Sequence, residues 1–282
     1  MGPVETIHER PWSTVLYVPV AEGVVWFKAC ASVQAFEPGL SAALFARWPD
    51  RVAEVLAHDE RRGWLLLADA GTPVGAYGNP PEAWLAALPL YAELQRGEAV
   101  HAGDHLTGGL PDLRASALPR RYEELARREL HFLDDDERAL LHRFAPRFAQ
   151  LCGQLDALGR PATIQHDDLH HGNLYDQGGR LRVLDWGDSS IAHPFMSLVV
   201  TFRFLEEVTR LPPDDPWFAR LRDAYLEPWG RGLEEEFELA LLVGRFAHGI
   251  AWLRQRDRLP LRARPAFDRW FGVVLRRALA VV

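Results

Sequence analysis

Up to residue 71 short apolar runs rich in β-branched and aromatic residues are separated by polar turn signals, the pattern of strands. Residues 4–9 predict a weak strand. Residues 14–20, TVLYVPV, are rich in β-branched and aromatic side chains and predict a stronger one. Ala21, Glu22 and Gly23 form a turn signal, and residues 24–30 predict a third strand. Residues 38–48 switch to a helical period, with Leu40, Leu44 and Trp48 on one face and Pro38 suited to the first turn. Residues 52–58 and 64–68 predict a hairpin around Glu60, Arg61, Arg62 and Gly63.

Residues 71–81 are rich in glycine and proline and mark a boundary. The chain is therefore expected to divide into an N-terminal lobe, 1–71, and a helical C-terminal lobe, 72–282. Helices are predicted over 82–96, 134–158, 195–209, 217–229, 234–257 and 265–281. Asp134 followed by Glu137 has the spacing of a capping box. In the helix over 234–257, Phe237, Leu241, Gly244, His248 and Trp252 share a stripe. Glutamates at its start and arginines at its end suit the helix dipole.

Length and composition, 282 residues with 48% apolar and 25% charged, are those of a globular chain large enough for two lobes. A formal net charge of −7, with no basic run interleaved with aromatics, argues against nucleic-acid binding. The two cysteines, Cys30 and Cys152, cannot form a disulfide framework, so a reducing compartment is the expectation. The first residues, MGPVETIHERPW, lack a charged-then-apolar leader, and no apolar run is long enough for a bilayer. A soluble, cytoplasmic protein without a membrane partner is expected.

The candidate chemistry is concentrated in residues 165–187, QHDDLHHGNLYDQGGRLRVLDWG. Residues 173–175 and 181–184 read as two strands joined by a tight turn through Asp176, Gln177, Gly178 and Gly179. An antiparallel hairpin returns the chain to its starting end, so Asn173 and Asp185 should lie side by side. Two side-chain oxygens converging there suit Mg²⁺. Asp168, five residues before Asn173, leads into the same end, and a carboxylate beside that metal orients and deprotonates an acceptor hydroxyl. Both the H-x-D and the D-x-x-x-x-N spacings select Asp168 over Asp167, which is expected to brace the loop. His166 is expected to bond the loop backbone rather than to react. The bland alternative is a polar loop followed by a routine hairpin.

The order His166, Asp168, Asn173, then Asp185-Trp186-Gly187 resembles the catalytic loop and metal-binding turn of the aminoglycoside phosphotransferase and choline kinase-like family of small-molecule kinases. The resemblance is strongest over residues 164–187 and extends more weakly over 4–205. It implies an α+β, bilobal protein-kinase-like fold with a small β-rich N-lobe and a larger, mainly α-helical C-lobe. It implies ATP as phosphoryl donor, Mg²⁺ as cofactor and a small-molecule acceptor. Asp168 takes the place of the catalytic aspartate, with Asn173 and Asp185 as metal ligands. Lys28, the single lysine of the chain, takes the place of the third-strand lysine that contacts ATP phosphates. Glu37 is the only acid between Lys28 and Trp48 and becomes its partner. The adenine is expected after the Leu65-Leu66-Leu67 strand, with Ala68, Asp69 and Ala70 as hinge residues.

Two departures stand out. The loop between the first two strands has no G-x-G-x-x-G; it reads Glu9-Arg10-Pro11-Trp12-Ser13, and Ser13 is the group available to a phosphate. After D-W-G the family often has G-D-P-x-x-D-L, whereas this chain has Ala192-His193-Pro194-Phe195-Met196-Ser197-Leu198, with Ser197 in place of the second acid. Competing readings are a non-catalytic nucleotide-binding protein, suggested by the altered loop, and a metal-dependent hydrolase using His166, Asp168, His170 and His171. The order H-D-D-L-H-H does not match the usual zinc-hydrolase cluster.

Overall fold

The first three predicted strands fold as β1 (Glu5–Glu9), β2 (Ser13–Val20) and β3 (Gly23–Cys30) in a computed structural model that describes residues 2–282. β2 and β3 are in continuous register from Ser13↔Cys30 to Val20↔Gly23, closed by a two-residue turn. Gly23, at φ +138, supplies backbone that other residues rarely adopt. After α1 (Glu37–Arg47) come β4 (Val55–Asp59) and β5 (Trp64–Ala68), completing a sheet of order β1-β2-β3-β5-β4. The predicted strand over 52–58 begins later than expected. Val52 is buried and bridges to Val183 in the C-terminal part, so its pairing is long-range.

α1 lies against the sheet through Leu40 and Leu44, both buried. Its last residue, Arg47, and the following Trp48 reach Glu98 at the end of α2 (Pro81–Glu98). Glu98 accepts from Arg47 Nε and the Trp48 indole, each at 2.7 Å, and bonds His105 Nε2 at 2.7 Å on α3 (Ala102–Thr107). This buried cluster fastens α1 to the helical part. Gly97 permits it: a Cβ there would come within 2.3 Å of the Trp48 ring.

β6 (Thr72–Pro73) follows directly on residue 71. Then β7 (Asp112–Leu113), α4 (Leu118–Ala126) and α5 (Asp135–Ala157) lead to β8 (Thr163–Gln165). The Asp134–Glu137 capping box is formed, with Glu137 N donating to Asp134 at 2.8 Å and Asp134 N to Glu137 at 2.9 Å. The helical core gathers around Tyr122, whose ring lies 4.4 Å from Phe148 and 5.5 Å from Phe246.

Two small sheets carry the motif segment. β9 (Leu174–Gln177) and β10 (Arg180–Val183) form the expected hairpin, extended by β6 on the β9 edge. β11 (Ser190–Ala192) lies antiparallel to β8 and parallel to β7. The remaining helices are α6 (Leu198–Thr209), α7 (Pro216–Leu226), α8 (Glu234–Arg258) and α9 (Arg264–Leu279). The architecture is α+β, with a sheet-rich N-terminal part and a helical remainder. No helix among the described residues is long and apolar enough to cross a membrane.

Candidate active site

β8 delivers the chain into the loop at His166. Its ring is fully buried. Nε2 bonds the Leu184 carbonyl at 2.7 Å, and Nδ1 accepts from the Asp168 amide at 3.3 Å. Its own backbone N–H donates to the Tyr91 hydroxyl at 2.9 Å. Burial holds the imidazole pKa below its ordinary value, and both nitrogens already have partners. A neutral, fully engaged ring braces the loop and has no lone pair left for a metal.

Asp167 sits at φ +60, a left-handed turn that aspartate tolerates. The turn separates two adjacent carboxylates. Asp167 is buried and accepts from Ser190 Oγ; burial pushes its carboxyl up to about 7. Asp168 is partly exposed and lines a cavity of about 420 Å³.

The hairpin pairs Leu174 with Val183, and Leu184 N donates to Asn173 O at 2.9 Å. Asn173 and Asp185 thus emerge at one end. Asn173 Nδ2 donates to Asp168 O at 2.9 Å and to Asp168 Oδ2 at 3.3 Å. Because those acceptors cannot donate, the amide orientation is fixed and Oδ1 is left free of hydrogen bonds among the described residues. Asp185, at φ +64, gives Oδ1 to Lys28 at 2.6 Å and keeps Oδ2 free in the same sense. Desolvation raises its carboxyl pKa, but the charge and hydrogen bond of Lys28 win and hold it below the usual value. Two hard oxygens at the hairpin end fit a divalent cation of the Mg²⁺ type. Among the described residues no group of three or more His, Cys, Asp or Glu side chains is arranged to hold a metal.

Lys28 also meets Glu37, at 2.9 Å to Oε1 and 2.6 Å to Oε2. Glu37 is the first residue of α1 and is 1% exposed. Cys30 Sγ donates to Glu37 Oε2 at 3.2 Å. Gly187 packs against this acid: a Cβ there would lie 2.6 Å from Gln34 Cδ and 2.8 Å from Glu37 Oε2. The glycine of D-W-G is therefore required by close approach.

The nucleotide-side residues are distributed differently. Ser13 is buried at the start of β2, its carbonyl accepting from Arg10 N at 2.8 Å, while Arg10, Pro11 and Trp12 line the cavity instead. The Ala68 amide is already bonded to Glu54 O at 3.0 Å. Asp69 takes the Trp26 indole N–H at 3.3 Å and, through its carbonyl, Gln177 Nε2 at 3.2 Å; Ala70 is buried. The sequence reading passed over Trp26 and its cross-strand partner Tyr17, with rings 5.4 Å apart. Counting back two from Lys28 puts Trp26 on the same face and was the available signal.

Also passed over were the cavity walls. Trp12, Trp252, Phe267 and Trp270 give it an aromatic side, with Trp12 edge-on to Phe267 at 6.5 Å. Asp188, one residue past D-W-G, also faces it and accepts from Gln34 Nε2 at 3.2 Å and from Gln255. Burial, then the charges of Asp168 and Asp185, push the Asp188 carboxyl up to about 8.

Solved structures share this fold at low identity. A choline/ethanolamine kinase family protein from Mesorhizobium loti is 16% identical with a TM-score of 0.65, over 99% of this chain and 88% of that one. An ethanolamine kinase from Plasmodium vivax is 12% identical with a TM-score of 0.69, over 99% and 82%. The amicoumacin kinase hAmiN, in complex with AMP-PNP, Ca²⁺ and Ami, is 13% identical with a TM-score of 0.58, over 97% and 88%. No curated protein sequence matches the present chain. The profile described as the APH phosphotransferase enzyme family matches residues 26–239, and the chain belongs to that family as a small-molecule phosphotransferase.

Proposed function

We propose that the protein moves the γ-phosphoryl group of ATP to a hydroxyl of a small molecule, with Mg²⁺ as the metal. The observation that carries this reading is the convergence of Lys28, Glu37, Asp168, Asn173 and Asp185 from distant parts of the chain. Lys28 would contact the nucleotide phosphates and be aimed by Glu37. Asn173 Oδ1 and Asp185 Oδ2 would hold the metal. When bound, the metal neutralises the charge on the phosphates.

Asp168 accepts the proton of the acceptor hydroxyl. The hydroxyl oxygen forms a bond to the γ-phosphorus while the bond from that phosphorus to the β,γ-bridging oxygen breaks, and ADP leaves with the bond's electron pair. Positioning and charge neutralisation do most of the work. The division into lobes 1–71 and 72–282 belongs to the same proposal, with the nucleotide between them near Ala68, Asp69 and Ala70. The acceptor hydroxyl enters the cavity at Asp168.

The first test is thermal unfolding with ATP, with and without Mg²⁺, on wild type and Asp185→Asn. Ligand at about a hundred times its Kd adds roughly 2.7 kcal/mol. A Mg²⁺-dependent rise in Tm that Asp185→Asn lacks supports the reading. No rise with any nucleotide overturns it.

A further inference from the structure

The cavity at Asp168 is not isolated. A second one, of about 260 Å³, lies among α6, α8 and α9. Arg203 of α6 and His248 of α8 line both cavities and form their junction. The second cavity is otherwise largely apolar, with Leu198, Phe202, Leu241 and Val274 among its walls. Its further charged groups include Glu206, Arg245 and Arg277, the last paired with Glu207 at 2.6 Å.

Both junction residues hold donors without acceptors. Among the described residues the Arg203 guanidinium has neither a hydrogen-bond nor an ion-pair partner; it lies 4.6 Å from the Phe204 ring. Burial pulls its pKa below the ordinary arginine value, so its charge is held at a cost. His248 is 8% exposed and accepts from the Trp252 indole N–H at 3.1 Å through Nε2. A neutral imidazole has one N–H, and with Nε2 accepting, that proton must be on Nδ1. Burial, then the Arg203 charge, push the His248 pKa down to about 3, so the ring is neutral. Nδ1 is buried and, among the described residues, without a partner. An orphaned N–H beside an unpaired guanidinium is a costly arrangement for a protein to keep empty.

We propose that the acceptor of the phosphotransfer is a hydroxy acid, its carboxylate bound by Arg203 and the Nδ1–H of His248 at this junction. This rests on the reading that its hydroxyl is phosphorylated at Asp168. A carboxylate matches the junction in geometry, because a guanidinium binds its two oxygens as a fork. It also matches in charge, since a negative group would face the Arg203 guanidinium, which among the described residues has no ion-pair partner. The rest of the molecule would occupy the apolar second cavity.

The test uses the full chain labelled with ¹⁵N-histidine and titrated with sodium acetate, against sodium chloride at equal ionic strength. His248 is assigned through His248→Gln. We expect a saturable shift of the His248 Nδ1–H signal with acetate, absent in Arg203→Gln and partly retained in Arg203→Lys. A proton on Nε2, or an acetate response that Arg203→Gln leaves unchanged, overturns the proposal. That result would leave Arg203 as a counter-charge to Asp168.

ADP release is then measured with glucuronate, glucose and glucosamine, three pyranoses that carry a negative charge, no charge and a positive charge. Preference for glucuronate by about tenfold or more, lost in Arg203→Gln, supports the proposal. Preference for glucosamine overturns it. Where none is turned over, the acetate titration decides alone. The ATP-Mg²⁺ rise in Tm is followed in parallel. Its absence in wild type would remove the phosphotransfer reading and leave the anion site standing; its presence with no acetate site would do the reverse.

Discussion

The Lys28 ammonium lies 2.6 Å from Asp185 Oδ1, across 157 positions of sequence. The contact joins β3 to the end of the β9–β10 hairpin, and so ties the N-terminal sheet to the motif segment. Burial works against the lysine's charge, but Asp185 and Glu37 together hold its pKa well above the ordinary value. A permanently protonated, buried amine is a poor nucleophile.

Replacing Lys28 by methionine leaves Glu37, at 1% exposure, without its counter-charge. Breaking a buried pair from one side costs about 3–5 kcal/mol, part of which protonation of Glu37 recovers. The expected variant folds with a Tm lower by several degrees and loses turnover by at least two orders of magnitude, roughly 3 kcal/mol of barrier. Thermal melts and ADP release measure both. Normal turnover in Lys28→Met would remove Lys28 from the phosphate site.

Gly187→Ala tests the close approach behind D-W-G. Its new Cβ would press on Gln34 Cδ and Glu37 Oε2, at 2.6 and 2.8 Å. Overpacking of this kind costs about 1–3 kcal/mol. Because the displaced atoms include the partner of Lys28, activity should fall further than stability alone explains. Equal activity at a temperature where both proteins are folded would show that Glu37 has room to move.

Glu98 gives a pH-dependent prediction. Burial raises its pKa, but hydrogen bonds from His105, Arg47 and Trp48 prevail and hold it down to about 2. A carboxyl depressed on folding stabilises fully above its unfolded value, about 4.5, and loses that contribution as pH falls toward 2. The contribution at neutral pH is roughly 2–3 kcal/mol. The Tm gap between wild type and Glu98→Gln should be widest at pH 6–7 and should narrow below pH 4.5. A gap of constant width through that range would mean that the loss is packing and not charge.

What was legible in the sequence was local. β2, β3 and β5 announce themselves by short apolar, β-branched and aromatic runs between turn signals, and the capping box at Asp134 by spacing, because the determining contacts lie a few residues apart. Residues 97–133 received no assignment. α3 spans six residues, too few for a helical period to register, and β7 pairs only two residues with β11 from far along the chain. Site residues divide the same way. Asn173 and Asp185 follow from the hairpin and its turn. The burial of Ser13 and the Ala68 amide taken by Glu54 depend on the packing of the whole sheet. His248 looked like one more position on an apolar stripe; only its tertiary setting between two cavities distinguishes it from a core residue.

Ser197 illustrates the limit and supplies the last prediction. In sequence it is only a missing acid. In the fold it is 1% exposed and bonds the Tyr91 hydroxyl at 3.0 Å and Gln95 Nε2 at 2.9 Å. Tyr91 in turn accepts the His166 backbone N–H at 2.9 Å, so the hydroxyl network ends on the loop that carries Asp168. Tyr91→Phe leaves that buried N–H unpaired, at a cost of about 1–3 kcal/mol. Ser197→Ala costs less, because Gln95 Nε2 keeps the Ile164 carbonyl at 2.8 Å and Tyr91 keeps His166. The two losses should not add, since both variants remove the one Tyr91–Ser197 hydrogen bond; the double variant is expected to recover about 0.5–1 kcal/mol relative to the sum. Because the Asp168 backbone N–H donates to His166 Nδ1, a shift of His166 displaces Asp168, and kcat should fall in Tyr91→Phe with KM little changed. Strict additivity in urea melts, together with an unaltered kcat, would show that the loop is held without this network.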